Sequence, residues 1–210
     1  MPNTTNYSFP TPADTDLVKN GADAIRDLGD AVDTAMNTAL GTKKAGMVLL
    51  NTTSFSAVSS VSFAADTFTS TYSHYRILLD VPTLSINGNF LLRLRAAGTD
   101  NSASNYVYST RGLQSNGSAF DDNSAGALTS FRIGGSSTNG IATMSIDLFN
   151  PKAAKKTSFN SLSTWQDGAT ASISAPYQGI LTVSTSYDSA TILHSAGNMT
   201  GTYSVYGYNI

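Results

Sequence analysis

Residues 75–96 read YRILLDVPTLSINGNFLLRLRA, and the reading of this stretch decides the fold. Tyr75, Ile77, Leu79 and Val81 fall on alternate positions. In an extended chain alternate side chains share a face, so these four line one side of a strand. Phe90, Leu92, Leu94 and Ala96 repeat the pattern, with Arg93 and Arg95 on the opposite face. Between the two runs lies Asn87-Gly88, a dipeptide suited to the positive φ angles of tight turns. The stretch therefore predicts two strands joined by a turn. Outward from it the same alternation recurs. Ala142, Met144, Ile146 and Leu148 oppose Thr143, Ser145 and Asp147, and Tyr203 and Val205 oppose Ser204 and Tyr206. Further strands are expected over 46–51, 105–111, 128–133, 157–165, 171–183 and 190–194. Gly98, Asn116-Gly117, Gly134-Gly135, Asn139-Gly140, Asn150-Pro151 and Asp167-Gly168 punctuate them. Short strands so spaced, with no βαβ alternation, predict an antiparallel β-sandwich, jelly-roll-like, over 42–210.

Composition narrows the classes of function. The chain has 210 residues, of which 12% are charged, against about a quarter in an average soluble domain. Serine (29) and threonine (26) make up about a quarter of it, so hydroxyls rather than charges form its polar surface. A net charge of -2 excludes a basic nucleic-acid-binding domain. The absence of cysteine excludes disulfides, thiolate metal sites and cysteine nucleophiles. No apolar run approaches the ~18 residues of a membrane span, and the N-terminus lacks the basic and apolar regions of a secretory signal.

Ahead of the β-region two other zones are expected. Residues 1–13 are polar, hold Pro2, Pro10 and Pro12, and read as an extended arm ordered only by a neighbour. Residues 14–41 read as a helix, capped by Asp14, Thr15 or Asp16 and stopped at Gly41. Val18, Ile25, Val32 and Ala39 recur every seven residues, and Gly21, Leu28 and Ala35 follow the first three by three. Ala22, Gly29 and Met36 widen the stripe. A seam this narrow, about three heptads long, is the mark of a short coiled coil. Such a helix is marginal alone, because its packing rather than its propensity must stabilise it. Packing on its own domain is the other reading.

The order of arm, heptad helix and hydroxyl-rich β-domain is itself distinctive. Three segments add to it: YSFPTPADTDLVKNGADAIRDLGDAVD (7–33), HYRILLDVPTLSINGNFLLRLRAAGTD (74–100) and ILTVSTSYDSATILHSAGNMTGTYSVYGYN (180–209). Together they resemble tail fibre and minor tail proteins of tailed bacteriophages. The resemblance implies a homotrimeric structural fibre of the virion, sited on the tail or neck. It implies an N-terminal arm that docks on other virion proteins, and a β-domain facing outward to bind host surface polysaccharide. A collar, neck or head-decorating fibre with no receptor role is an alternative, and a polysaccharide-degrading appendage is a third reading, of another class. The residues independently favour a device of this kind, since a bundled stem presents several copies of one surface and multiplies weak contacts into avidity.

A sugar site needs rings to stack on and amide, carboxylate or guanidinium groups for the hydroxyls. Three places supply such residues. Trp165, Gln166 and Asp167 sit at a strand end before a turn, where loops carry function, with core or subunit-interface filling the competing role of Trp165. Tyr106, Tyr108 and Arg111 cluster in NYVYSTRG, where cross-strand packing is the competing role. Phe120, Asp121 and Asp122 lie in 112–126, expected to be the longest polar loop. Asp121, Asp122 and Asn123 are oxygen donors of the type Ca²⁺ takes, yet without the spacing of a known loop, and no metal or cofactor is expected. His74 and His194 stand alone, and Lys152, Lys155 and Lys156 share one solvated loop. No nucleophile elbow, phosphate loop or Ser-His-Asp set is evident, so an enzyme is not expected.

Overall fold

A computed structural model describes residues 4, 5, 7–11, 17, 20–40, 46–123, 128–138, 140–167 and 171–209. The chain forms two compact units, Met1–Ala45 and Gly46–Ile210.

In the first unit the helix α1 spans Gly21–Leu40, later than the start expected at residue 14. The expected caps Asp14, Thr15 and Asp16, and the first seam residue Val18, lie outside the described residues. Ile25 is 68% exposed and Met36 55%. Leu28, Val32 and Ala35 are half-buried, and Ala39 is exposed. The described part of the arm is not extended. Ser8 N–H donates to the Thr4 carbonyl at 3.0 Å, Thr4 N–H to the Phe9 carbonyl at 2.9 Å, and Phe9 N–H to Thr4 Oγ1 at 2.9 Å. Tyr7 stacks on Phe9. Local hydrogen bonds of a threonine side chain, with Ser8 at a positive φ of 53°, close a turn that composition alone did not reveal.

The second unit is mainly β, two antiparallel sheets in a sandwich-like arrangement. Its strands are β1 (Gly46–Val58), β2 (Ser60–Ser62), β3 (His74–Leu84), β4 (Gly88–Ala96), β5 (Thr99–Asp100), β6 (Tyr106–Gln114), β7 (Ala119–Asn123), β8 (Phe131–Ser136), β9 (Ala142–Phe149), β10 (Ser158–Asp167), β11 (Ala171–Leu181), β12 (Ser189–His194) and β13 (Met199–Asn209). The larger sheet has the order β1-β13-β3-β9-β10-β11-β6-β7. The smaller runs β2-β12-β4-β5, with β8 also pairing β4.

Alternation explains the layers. The inner face of the larger sheet carries Tyr75, Ile77, Leu79 and Val81 of β3, Met144, Ile146 and Leu148 of β9, and Tyr203 and Val205 of β13. Against it the smaller sheet sets Phe90, Leu92 and Leu94 of β4, Phe131 and Ile133 of β8, and Ile192 of β12. All but Leu79, Met144 and Tyr203, which reach at most 3%, are fully excluded from solvent. Aromatic rings lock the two layers together: Phe131 lies 4.3 Å from Phe159 and 4.7 Å from Tyr106, and Phe63 lies 4.5 Å from Tyr203, centroid to centroid. Hydroxyl pairs tie strands on the polar side, Thr52 to Ser204 at 2.9 Å and Ser54 to Thr202 at 3.1 Å.

One expected loop is not a loop. Most of 112–126 is the β6–β7 hairpin, in register from Ser109↔Asn123 to Leu113↔Ala119. Its turn is closed by Gly117 N–H on the Gln114 carbonyl at 2.9 Å, and Gly117 takes the positive φ of 86° that the turn requires. Residues 124–127 lie outside the described residues.

Candidate binding cleft

At one end of the sandwich the turn after β3, the start of β4, the end of β6, β8, the end of β10 and the start of β11 enclose a cleft of about 400 Å³. Its lining is polar: Asn87, Asn89, Gln114, Arg132 and Ser136, with Trp165 and Ile173 as the apolar parts.

Each side chain is held by a local device. Asn87 follows β3 in the Asn-Gly turn, and its Oδ1 accepts the Thr138 N–H at 2.7 Å. That leaves its amide NH₂ as a donor. Asn89 begins β4, where its own N–H donates to Ser195 Oγ at 2.8 Å, and its side-chain amide has no hydrogen bond among the described residues. Gln114 ends β6 and accepts from Asn116 Nδ2 at 3.2 Å. Arg132, half-buried in β8, lies with its guanidinium carbon 5.5 Å from the centre of the Tyr177 ring, a favourable contact for a cation over the negative face of a ring.

The floor is set by Ser136 and His194. His194 Nδ1 faces the Ala196 carbonyl. A carbonyl only accepts, so Nδ1 carries the proton and Nε2 is left as acceptor. Ser136 Oγ lies 2.8 Å from that Nε2 and 3.0 Å from the Gly88 carbonyl, two acceptors for its single O–H proton, while its oxygen accepts the Gly88 N–H at 3.1 Å. Burial disfavours the imidazolium and pulls the His194 pKa down, only partly opposed by its bond to Ala196. The pair braces β8, β4 and the end of β12 beneath the cleft.

The expected site residues divide between places. Trp165 is in the cleft but is 7% exposed, a core residue. A Cβ added to Gly135 would lie 2.5 Å from Trp165 Cζ2, so the β8 backbone covers the ring. As a stacking ring Trp165 is thus not open to solvent: the β8 backbone at Gly135 lies against the indole. Gln166 is half-buried beside Gly140, and Asp167 closes β10 in register with Ala171. Tyr106 is fully buried. Its hydroxyl donates to the Asn101 carbonyl at 2.8 Å and accepts the Leu94 N–H at 3.1 Å, so it too is a core residue and not a sugar platform. Tyr108 packs on Tyr177, 6.4 Å between centroids. Arg111, an odd-numbered neighbour, points to the other face of β6 and meets Asp121 across the hairpin at 3.6 Å. Strand alternation thus separates the tyrosines from the arginine. Tyr106 and Gln114 stand at opposite ends of β6, about 27 Å apart at ~3.4 Å per residue. Phe120 pairs with Gly112, and Asp122 with Thr110. Among the described residues no cluster of three metal-ligating side chains forms.

Asn89, Gln114 and Arg132 were not singled out in the sequence. The Asn87-Gly88 signal marked the turn that brings Asn87 and Asn89 here. Nothing local marked Arg132, whose place depends on β8 pairing β4.

No family model matches this chain, and no curated protein matches it. Among solved structures, the galectin LEC-6 of Caenorhabditis elegans is 11% identical, with 76% of this chain and 95% of that chain covered at a TM-score of 0.33. A fructofuranosidase of Schwanniomyces occidentalis, complexed with fructosylnystose, is 6% identical, with 78% of this chain and 34% of that chain covered at a TM-score of 0.24. Likenesses this distant carry no argument about what the cleft holds.

Proposed function

We propose that this chain is a structural fibre protein of a tailed-phage virion: a homotrimer with a coiled-coil stem, a virion-docking N-terminal arm and a jelly-roll-like head that recognises host surface polysaccharide. The observation that carries the reading is the apolar stripe of α1. Ile25 stands 68% exposed, and Val32 and Ala39 follow it at two seven-residue steps. A stripe of about four turns, exposed at Ile25 and Ala39 and half-buried at Leu28, Val32 and Ala35, gains stability by meeting other helices. The likeness of the arm, the helix and the last β-strands to phage fibre sequences supports the virion setting.

The cleft supports the recognition role. Three side-chain amides and one guanidinium line it, and such groups give and take hydrogen bonds with vicinal hydroxyls without needing a charged ligand. A single shallow polar site binds weakly. Three on one stem bind with an avidity that can exceed each site by about 10²–10⁴.

Two measurements test the reading. Light scattering at micromolar concentration gives the mass of a trimer for the native chain, and Val32→Asp, which places a charge in every seam, gives monomer. A native monomer would refute the stem. In glycan-array binding, Arg132→Ala and Asn89→Ala each lower retention on the recognised polysaccharide about tenfold or more, the loss of one to two hydrogen bonds of about 1.5 kcal/mol each. Unchanged retention in both variants would remove the cleft from the function.

A further inference from the structure

We propose that the outer face of the eight-stranded sheet is where the β-units of neighbouring copies of this chain pack on one another. The inference rests on the oligomeric reading above and goes beyond it, since a stem alone leaves the heads unpaired.

The distribution of exposed apolar side chains points to this face. Among the described residues of the β-unit eight large apolar side chains are exposed: Ile86 and Ile141 lie outside the strands, and Met47, Leu49, Leu78, Leu113, Leu162 and Ile180, 39–60% exposed, lie within them. Cross-strand register places all six on that one face. Leu49 stands opposite Tyr206, and Leu78 and Leu162 flank Ser145 on either side. The outer face of the smaller sheet has no such residue among those described: Leu91 and Leu193 are half-buried there, beside Arg93 and Arg95. An apolar set gathered on one face, rather than scattered, is the mark of a contact surface.

The charges of the face argue for a second copy as the occupant. Identical copies repel wherever a face carries net charge. Here Arg76 donates to both oxygens of Asp147, at 2.8 and 2.6 Å, and Tyr208 O–H donates to the same carboxylate at 2.9 Å. Arg111 faces Asp121. The face therefore closes its own charges in pairs, with Asp80 the exception among the described residues. Between Leu78 and Leu162 lies a depression of about 530 Å³, floored by Thr143 and Ser145 and rimmed by Thr164, Thr202 and Ser204. Neutral hydroxyls and leucines suit a self-association that is neither charge-steered nor charge-opposed. β1, the edge strand of this sheet, is the next described element after α1 in sequence.

The test uses the absence of native thiols. Leu162→Cys and Leu78→Cys place single thiols on the face, and Ser60→Cys places one on the exposed β2 of the other sheet. Each is made in the full chain, and its maleimide labelling rate and light-scattering mass are measured. The expected result is a trimer in which Leu162→Cys and Leu78→Cys react at least tenfold more slowly than Ser60→Cys. Adding Ile25→Asp should then bring the rates together as the trimer dissociates. A trimer with equal rates overturns the inference and leaves the stem intact. A native monomer overturns the oligomeric reading itself. Protection that develops only on adding polysaccharide overturns the inference in favour of a glycan on this face.

Discussion

Replacing Tyr106 by phenylalanine removes one oxygen from the centre of the β-unit. The ring is fully excluded from solvent, so its volume is retained and no cavity of consequence opens. Two hydrogen bonds go. The Leu94 N–H loses its acceptor at 3.1 Å, and the Asn101 carbonyl loses its donor at 2.8 Å. The hydroxyl is held as a donor because burial, opposed only partly by its bond to Leu94, raises its pKa above the ordinary value. A buried N–H left unpaired costs about 1–3 kcal/mol, and the donated bond contributes about 0.5–1.5 kcal/mol, so the loss sums to about 1.5–4.5 kcal/mol. At about 2–4 °C per kcal/mol for a chain of this size, the melting temperature falls by roughly 3–18 °C. Trp165, the only tryptophan, reports unfolding in urea by its emission. Tyr206→Phe, on the outer face, is the control and shifts stability by less than about 0.5 kcal/mol. If Tyr106→Phe were as silent as the control, the hydroxyl would not be the clasp between β4 and the turn at Asn101. The placement of Tyr106 in the core, rather than at a sugar, would need to be abandoned.

Two further outcomes follow from the cleft and its floor. Gly135→Ala drives a Cβ to 2.5 Å from the indole. Overpacking of this kind costs about 1–3 kcal/mol and alters the Trp165 emission maximum of the folded protein, so an unshifted spectrum with native stability would refute the stacking of β8 on that ring. His194 has a folded pKa depressed from the ordinary value of 6.5 by burial. Below pH 6.5 the unfolded chain therefore binds a proton that the folded chain resists, and stability is full above that pH and declines as pH falls through the folded pKa. Urea titrations between pH 7.5 and 5 should show this decline in the native chain and a shallower one in His194→Asn. A native profile flat over that window would contradict the buried neutral imidazole.

The strands were legible because a half-buried sheet writes its burial into alternation. Tyr75 to Val81 and Ala142 to Leu148 could be assigned from that pattern alone, and each of the expected strand regions carries a strand. The short strands β2 and β5 carry no such pattern. β7 was hidden because AFDDN is polar and its pairing with β6 depends on the partner strand, not on its own periodicity. The sites were less legible. Trp165 was noticed for its chemistry, but whether a ring faces water or backbone depends on Gly135, thirty residues away in sequence. Tyr106, Tyr108 and Arg111 looked like a cluster in a linear reading, whereas the period of two that identifies β6 as a strand also puts Arg111 on its far side. Asn89, Gln114 and Arg132 stand on three different strands, β4, β6 and β8, and nothing within any one segment announces the meeting.

The position of β13 has a consequence for biosynthesis. It is the strand made after the other twelve, yet it lies inside the larger sheet, bonded to β1 along one side and to β3 along the other. Until it leaves the ribosome, β1 has no place in that sheet and β3 has an open edge, even though the helix that precedes them was released more than a hundred residues earlier. Pairing of the first strand with the last also gives the β-unit a high contact order, which slows folding. Nascent chains would thus carry a finished α1 and an unfinished β-unit for the whole of that interval. Any cut or stop codon that removes β13 leaves two unsatisfied strand edges, an aggregation hazard, rather than a slightly shorter protein.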